Sequence, residues 1–255
     1  MRIALNATSD VGHRAGRILL AEPGLDALGL YGHTTSSTTE DRRMTAIHDL
    51  SGFDLLVSDM NSLGIAAIAA EDGISCVLST DREPDADLAA RFRSQHLTLL
   101  VGAALGPGIA TTLALRELAH GEDPSHVTIA WTEPGRPLRH GEAVPFPDPV
   151  GPLWGRRLPR HAGDRAPIER ITVPTSGPWS ATVAWIKSRT GSADRVVGVA
   201  DADTHLRAIA LAAGAIAVAE GHYEPGAHRP RDNTDAYLAA ALRIGLEVAA
   251  FDLGD

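Results

Sequence analysis

The chain reads as an α/β protein in which a doubly wound parallel sheet is joined to a second, smaller α/β domain. Three observations predict this. From Met1 to about Glu122, short apolar runs alternate with segments of helical period, the order of βαβ units. Those runs are apolar throughout, as strands covered by helices on both faces must be. Beyond Gly121–Pro124 the period changes to two, with Val127, Ile129 and Trp131 alternating with Thr128, Ala130 and Thr132.

In order, the first strand is Arg2 to Leu5, ending at the turn former Asn6. Val11, Ala15, Ile18 and Leu19 then recur at helical spacing, and Pro23-Gly24 ends that helix. Further strands are predicted at Leu28 to Tyr31, Phe53 to Ser58, Ile74 to Leu78 and Leu97 to Val101. Helices are predicted around Ile65 to Ala70, Asp85 to Arg93 and Ile109 to Ala119. His33 to Glu40 reads as a polar loop. In the second part, Ile168 to Val173, Ala181 to Lys187 and Arg195 to Ala200 read as strands. Leu206 to Ala217 is an amphipathic helix with Asp203 as its cap, and Thr234 to Ile244 is a last helix. Leu246 to Phe251 is a last strand. The expected division is residues 1–122, with about 230–255 returning to them, and a substrate and dimerisation domain over 123–229.

Composition narrows the function. The 255 residues are 44% hydrophobic and 22% charged, enough to bury a core. A net charge of -9 argues against nucleic acid or an anionic membrane as partner. No apolar run approaches the roughly 18 residues of a membrane span, and the opening MRIALNATSD lacks the pattern of a secretory signal. The single Cys76 excludes an internal disulfide and fits a cytoplasmic location. It lies within an apolar strand, and there is no G-x-S-x-G elbow, so no nucleophile is expected. The histidines His120, His126, His222 and His228 flank Glu122 and Glu224 without zinc-site spacing, so no metal is expected.

The strongest local signal is Asn6-Ala7-Thr8-Ser9-Asp10-Val11-Gly12, set directly between a strand and a helix. A dinucleotide fingerprint belongs there, because the helix N-terminus offers free N–H groups and a positive dipole to a pyrophosphate. Asn6 and Ser9 stand at the first two glycine positions of such a Rossmann-type turn, and Gly12 keeps the third. The same residues would also make an ordinary strand–turn–helix. After the second strand there is no acid to hold a ribose. His33 and Thr34, with Ser36 and Arg42 or Arg43, suit a phosphate-bearing ribose, so NADP is expected to bind at least as well as NAD. Two later strand ends share the carboxyl edge, where ligands of such sheets bind: Ser79, Thr80 and Asp81, and the small-residue turn Gly102, Ala103 and Ala104, which lets a nicotinamide ring approach the backbone.

The run LLVGAALGPGIATTLALREL resembles the strand, Pro-Gly turn and helix of saccharopine dehydrogenase-like proteins, and MRIALNATSDVGHRAG is similar to their first strand and glycine turn. The same opening resembles that of dihydrodipicolinate reductases, whose length and two-domain layout also match, and DLLVSDMNSLGIAAIAAEDGISCVLST suits either family. The resemblance covers the first half of the chain. It implies a two-domain oxidoreductase using NAD or NADP. The His-His and Lys signature of dihydrodipicolinate reductases has no counterpart near Trp131 to Pro147, which argues against that particular activity.

Gly135 to Ala166 is long, aperiodic and basic, and reads either as a lid over an anionic substrate or as a solvated loop or subunit contact. As a lid it offers Arg139, His140 and Arg156 as substrate-binding and proton-transfer residues, with Trp154 as an anchor; outside it, Asp81 is expected to orient the nicotinamide amide or a His. The apolar alternation of Ala181, Val183 and Trp185 predicts a sheet face for a homodimer. Two functions follow. One is an NAD(P)-dependent oxidoreductase acting on a small anionic metabolite. The other is a binding or regulatory protein that keeps the Rossmann shape without catalysis, which the loss of two glycines favours.

Overall fold

A computed structural model describes residues 1–32, 41–120, 124–148, 150–159, 168–188 and 194–253. The chain forms an α/β fold of two seven-stranded sheets. The first is parallel throughout. It contains β1 (Arg2–Asn6), β2 (Ala27–Tyr31), β3 (Met44–Ile47), β4 (Leu55–Ser58), β5 (Ser75–Leu78), β6 (Thr98–Val101) and a late strand, β13 (Gly226–His228). Their order across the sheet is β13-β6-β5-β4-β1-β2-β3, so the strand order reverses between β1 and β4. That reversal opens a crevice at the carboxyl ends of these two strands.

Helices cover both faces of this sheet. Helix α1 (Asp10–Leu20) is capped by Ser9, whose side chain accepts from the Val11 N–H, and it buries Gly12, Ala15, Gly16 and Leu19 as one stripe. On its side of the sheet lie Ile3, Leu5, Leu55, Val57, Val77 and Leu100. Helices α2 (Gly64–Glu71) and α3 (Ala86–Ser94) cover the opposite face, with Ala4, Leu56, Cys76, Leu78 and Leu99. Alternate residues of each strand thus point into two different cores, which is why the strands are apolar without period. The β6 strand leads through a short π-helical turn (Leu105–Ala110) into α4 (Thr111–His120).

The second sheet is mixed. It contains β7 (Pro124–Pro134), β8 (Glu142–Val144), β9 (Leu153–Arg157), β10 (Ile168–Thr175), β11 (Trp179–Ser188), β12 (Asp194–Ala202) and β14 (Ala249–Leu253), in the order β14-β12-β11-β7-β10-β9-β8. Between the sheets runs α5 (Asp203–Ala219), followed after β13 by α6 (Thr234–Arg243). Leu206 and all of Ala208 to Val218 on α5 are buried. Its small side chains meet Ile3, Leu5 and Val77 of the first sheet and Ile129, Ala184, Val197 and Val199 of the second in one continuous core.

Several expectations need correction. The last strand pairs with β12 (Arg195↔Asp252) and so completes the second sheet rather than returning to the first. The segments that do return to the first sheet and its helices are β13, paired with β6, and α6, packed on α4. Strand β3 was also hidden, because as an edge strand it is only half-buried and carries no full apolar pattern. Asp203 is the first residue of α5, and Ala202 is its cap. The aperiodic segment after Gly135 contains β8 and β9 and packs on the far face of the second sheet. There Val144 and Phe146 form a cluster with Ala181 and Val183, both nearly inaccessible. The apolar face expected to pair with a second copy is therefore covered by the chain's own segment.

Candidate functional site

The two halves of the carboxyl edge are built differently. At the crevice, β1 ends in Asn6 and β4 in Ser58, and Asp59 follows β4. The Ser58 hydroxyl donates to Asn6 Oδ1 (3.0 Å), and Asn6 Nδ2 donates to the Tyr31 carbonyl (3.3 Å), so Asn6 ties three adjacent strands together. The Asp59 carboxylate lies on the turn before α1. Its Oδ1 accepts from the Thr8 N–H (2.7 Å) and Thr8 Oγ1 (2.7 Å). Its Oδ2 accepts from the Ser9 N–H (2.9 Å), Ser9 Oγ (2.6 Å) and the Gly12 N–H (3.0 Å). Thr8, Ser9 and Gly12 are among the residues that the sequence offers to a pyrophosphate. A Cβ on Gly12 would lie 2.6 Å from Asp59 Oδ2 and 2.8 Å from Ala7 Cα, so only glycine permits this approach.

Desolvation pushes the Asp59 carboxyl up, but the hydrogen bonds from Ser9, Thr8 and Gly12 together outweigh it and hold the group below its ordinary value of 3.8. A carboxylate with a lowered folded-state pKa contributes stability that is complete above the unfolded value and is lost as pH falls through the folded one. Urea unfolding at pH 7 and pH 3 should therefore show a larger loss for the wild type than for Asp59→Asn. Equal losses would contradict this assignment.

The other predicted edge residues also gather here. Ser79 Oγ donates to the Asp59 carbonyl (3.1 Å), and Thr80 Oγ1 donates to Asn61 Oδ1 (2.6 Å), so the end of β5 braces the segment after β4. Gly102 has φ +80, a left-handed conformation suited to glycine, and its N–H donates to the Thr80 carbonyl (2.6 Å). Ala103 and Ala104 follow it into the π-helical turn. Asp10 is exposed on the first turn of α1, and Val11 is half-buried beside it. Arg43 is held by Asp41 (2.8 Å) and donates to the Leu20 carbonyl (2.6 Å), so its charge is satisfied locally. His33 and Thr34 lie outside the described residues.

Beyond the Gly102 turn, a cleft of about 390 Å³ opens between the two sheets. The first sheet and its connections supply Asp81, Glu83, Pro107, Thr111, Arg229 and Arg231, and the second supplies Trp131, Leu158 and Arg170. Arg170 is 6% exposed, and it faces the cleft because it alternates with Ile171 and Val173, which point into the far core. Arg229 donates to the Asp81 carbonyl (2.9 Å) and pairs with Glu83. Trp131 Nε1 donates to Glu133 (2.9 Å).

The residues expected on a lid sit elsewhere. Arg139 and His140 are exposed on the turn before β8, and neither lines this cleft. Arg156 pairs across from Thr172 and lines a neighbouring hollow with Glu133 and Pro174, further along the same sheet face. Trp154 is 47% exposed and anchors nothing in the cleft. Cys76 is fully buried, and burial pushes its thiol pKa up, so it is no nucleophile. Among the described residues no three metal-ligating side chains gather, and no helix is long and apolar enough to cross a membrane.

Sequence reading missed Asp59, Arg170, Arg229 and Arg231. For Asp59 a signal existed. In a doubly wound sheet the third predicted strand lies beside the first, so the residue after Ser58 must face the Asn6 turn.

No family model and no curated protein sequence matches this chain. Solved structures do match in fold. Homospermidine synthase from Legionella pneumophila, in complex with NAD, superposes with TM-score 0.63 at 8% identity, over 98% of this chain and 91% of that one. Dipicolinate-bound dihydrodipicolinate reductase from Paenisporosarcina sp. TG-14 gives 0.56 at 10% identity, over 91% and 99%. A 3-ketoreductase from Actinomadura kijaniata, in complex with NADP, gives 0.53 at 14% identity, over 94% of each. The fold is thus that of Rossmann-type two-domain oxidoreductases. These likenesses carry the dihydrodipicolinate reductase part of the resemblance, as fold alone, and not the saccharopine dehydrogenase part.

The dinucleotide this fold implies does not fit the turn as it stands. Of the donors at the turn, the N–H groups of Thr8, Ser9 and Gly12 all point at Asp59. A phosphate placed there would meet Asp59, and Asp10 close by, as like charges.

Proposed function

We propose that this protein binds a small anionic metabolite in the cleft between its sheets, as a binding or regulatory protein on an oxidoreductase scaffold. The observation that carries this reading is the buried Arg170 facing the cleft opposite Arg229 and Arg231. Among the described residues the lining holds three guanidiniums, Arg170, Arg229 and Arg231, and two carboxylates, Asp81 and Glu83. Guanidiniums present planar donor forks that match carboxylate and phosphate oxygens. Trp131 and Pro107 add an apolar wall for the rest of a small ligand. The satisfied turn at Asp59 speaks against hydride transfer from a dinucleotide.

A second reading, an NAD(P)-dependent oxidoreductase acting on the same metabolite, is favoured by the fold and by the Gly102–Ala104 turn beside the cleft. In that reading NADP binds at least as well as NAD, and Asp59 has to leave the turn.

Thermal-shift titration with small dicarboxylates and phosphate esters tests the site. At a concentration of about 100 Kd a true ligand stabilises by about 2.7 kcal/mol, a rise in Tm of a few degrees. The rise should be lost in Arg170→Met and reduced in Arg231→Ala. An equal rise in both variants would remove the cleft from consideration. Fluorescence titration with NADPH and NADH separates the two readings. No binding at millimolar concentration is expected, and binding of either would establish the second.

A further inference from the structure

We infer that Asp59 is a built-in stand-in for the pyrophosphate of a dinucleotide, and that its carboxylate takes up the donors of the turn at which such a group would bind. The inference rests on the reading of a binding protein without a dinucleotide, and it says what enforces that state.

Three features of the turn carry it. The geometry around Asp59 is that of a bound anion: three backbone N–H groups and two hydroxyls reach its two oxygens at 2.6–3.0 Å, at the N-terminus of α1. The cradle also keeps the shape that a phosphate requires. Gly12 allows the close approach, and the reversal of strand order lies directly above it. Finally, the backbone of Asp59 is held independently of its carboxylate, by Ser79 Oγ on its carbonyl and by the Ser79 N–H on the neighbouring Ser58 carbonyl. The carboxylate lies at the surface of the crevice, half-buried, so it can be removed without opening a core. Here the donors are retained and spent on an internal anion.

The experiment compares wild type, Asp59→Gly and Asp59→Asn, using NADPH, NADH, ADP-ribose and inorganic pyrophosphate as probes in calorimetric and fluorescence titrations. Wild type should be blind to all four at millimolar concentration. Asp59→Gly removes the nearer of the two like charges and frees the donors, and it should bind ADP-ribose and the dinucleotides at least roughly tenfold more tightly than wild type. Asp59→Asn removes the charge but keeps the bulk, and should fall between. In Asp59→Gly the amide resonances of Thr8, Ser9 and Gly12 should move on addition of pyrophosphate. Circular dichroism and a cooperative melt establish that each variant is folded, and if Asp59→Gly is not, Asp59→Asn decides. A folded variant as blind as the wild type overturns this inference while leaving the anionic-metabolite reading in place. Wild type that already binds NADPH or NADH overturns both.

Discussion

Replacing Tyr237 by alanine is expected to destabilise the protein by about 3–5 kcal/mol, enough to leave little folded protein at 37 °C. Tyr237 is fully buried on α6, and its hydroxyl donates to the Ala210 carbonyl of α5 (2.8 Å). The ring also faces the turn after β6, since a Cβ on Gly108 would lie 2.5 Å from its hydroxyl. One side chain therefore joins α6, α5 and the turn that shapes the cleft. Tyr237→Phe keeps the ring and removes one hydrogen bond, so its cost should be near 1 kcal/mol. Urea unfolding of the two variants checks the prediction, and similar losses in both would mean that the hydroxyl, not the packing, dominates.

Gly12→Ala should be the most damaging small substitution at the crevice, at about 1–3 kcal/mol. The new methyl would lie 2.8 Å from both Cα and Cβ of Ala7 and 2.6 Å from the Asp59 carboxylate. The carboxylate can rotate away, but backbone at Ala7 cannot move without disturbing β1. The two costs separate in a double variant. Asp59→Gly should relieve part of the Gly12→Ala penalty and leave the Ala7 part, a coupling that a double-mutant cycle reads directly. Strict additivity of the two losses would place Asp59 elsewhere than on this turn.

Much of the first sheet was legible because its physics is local. The run Arg2 to Leu5, the polar turn and the stripe of α1 each announce themselves within a few residues, and so does the small-residue turn at Gly102. The residues expected at the carboxyl edge do gather there. What escaped was whatever depends on a partner distant in sequence. Asp59 acts through the turn fifty residues before it, and its meaning exists only once β4 lies beside β1. Arg170 lies inside the strand read at Ile168 to Val173, and its place in the cleft depends on Arg229 and Arg231, which come from the connection after β13. Strands β8 and β9, of three and five residues, are too short to show a period and were read as part of a lid or of a solvated loop or subunit contact. Strand β14 has the pattern of any sheet strand, and nothing in Ala249–Leu253 itself says which sheet it joins.

The helix α5 has a consequence for motion and for folding. Because its alanines are shared by both sheets, neither sheet has a private core on that side. A clamshell that swings open about a linker needs a wet or weakly packed seam, and here the seam is a dry helix. Swinging one sheet away from the other to open the cleft would have to break this shared core. The same sharing makes the chain one cooperative unit, which should melt in a single transition. A fragment ending near Glu122 would lack α5 altogether and expose the part of the sheet face, at β4, β5 and β6, that α5 covers.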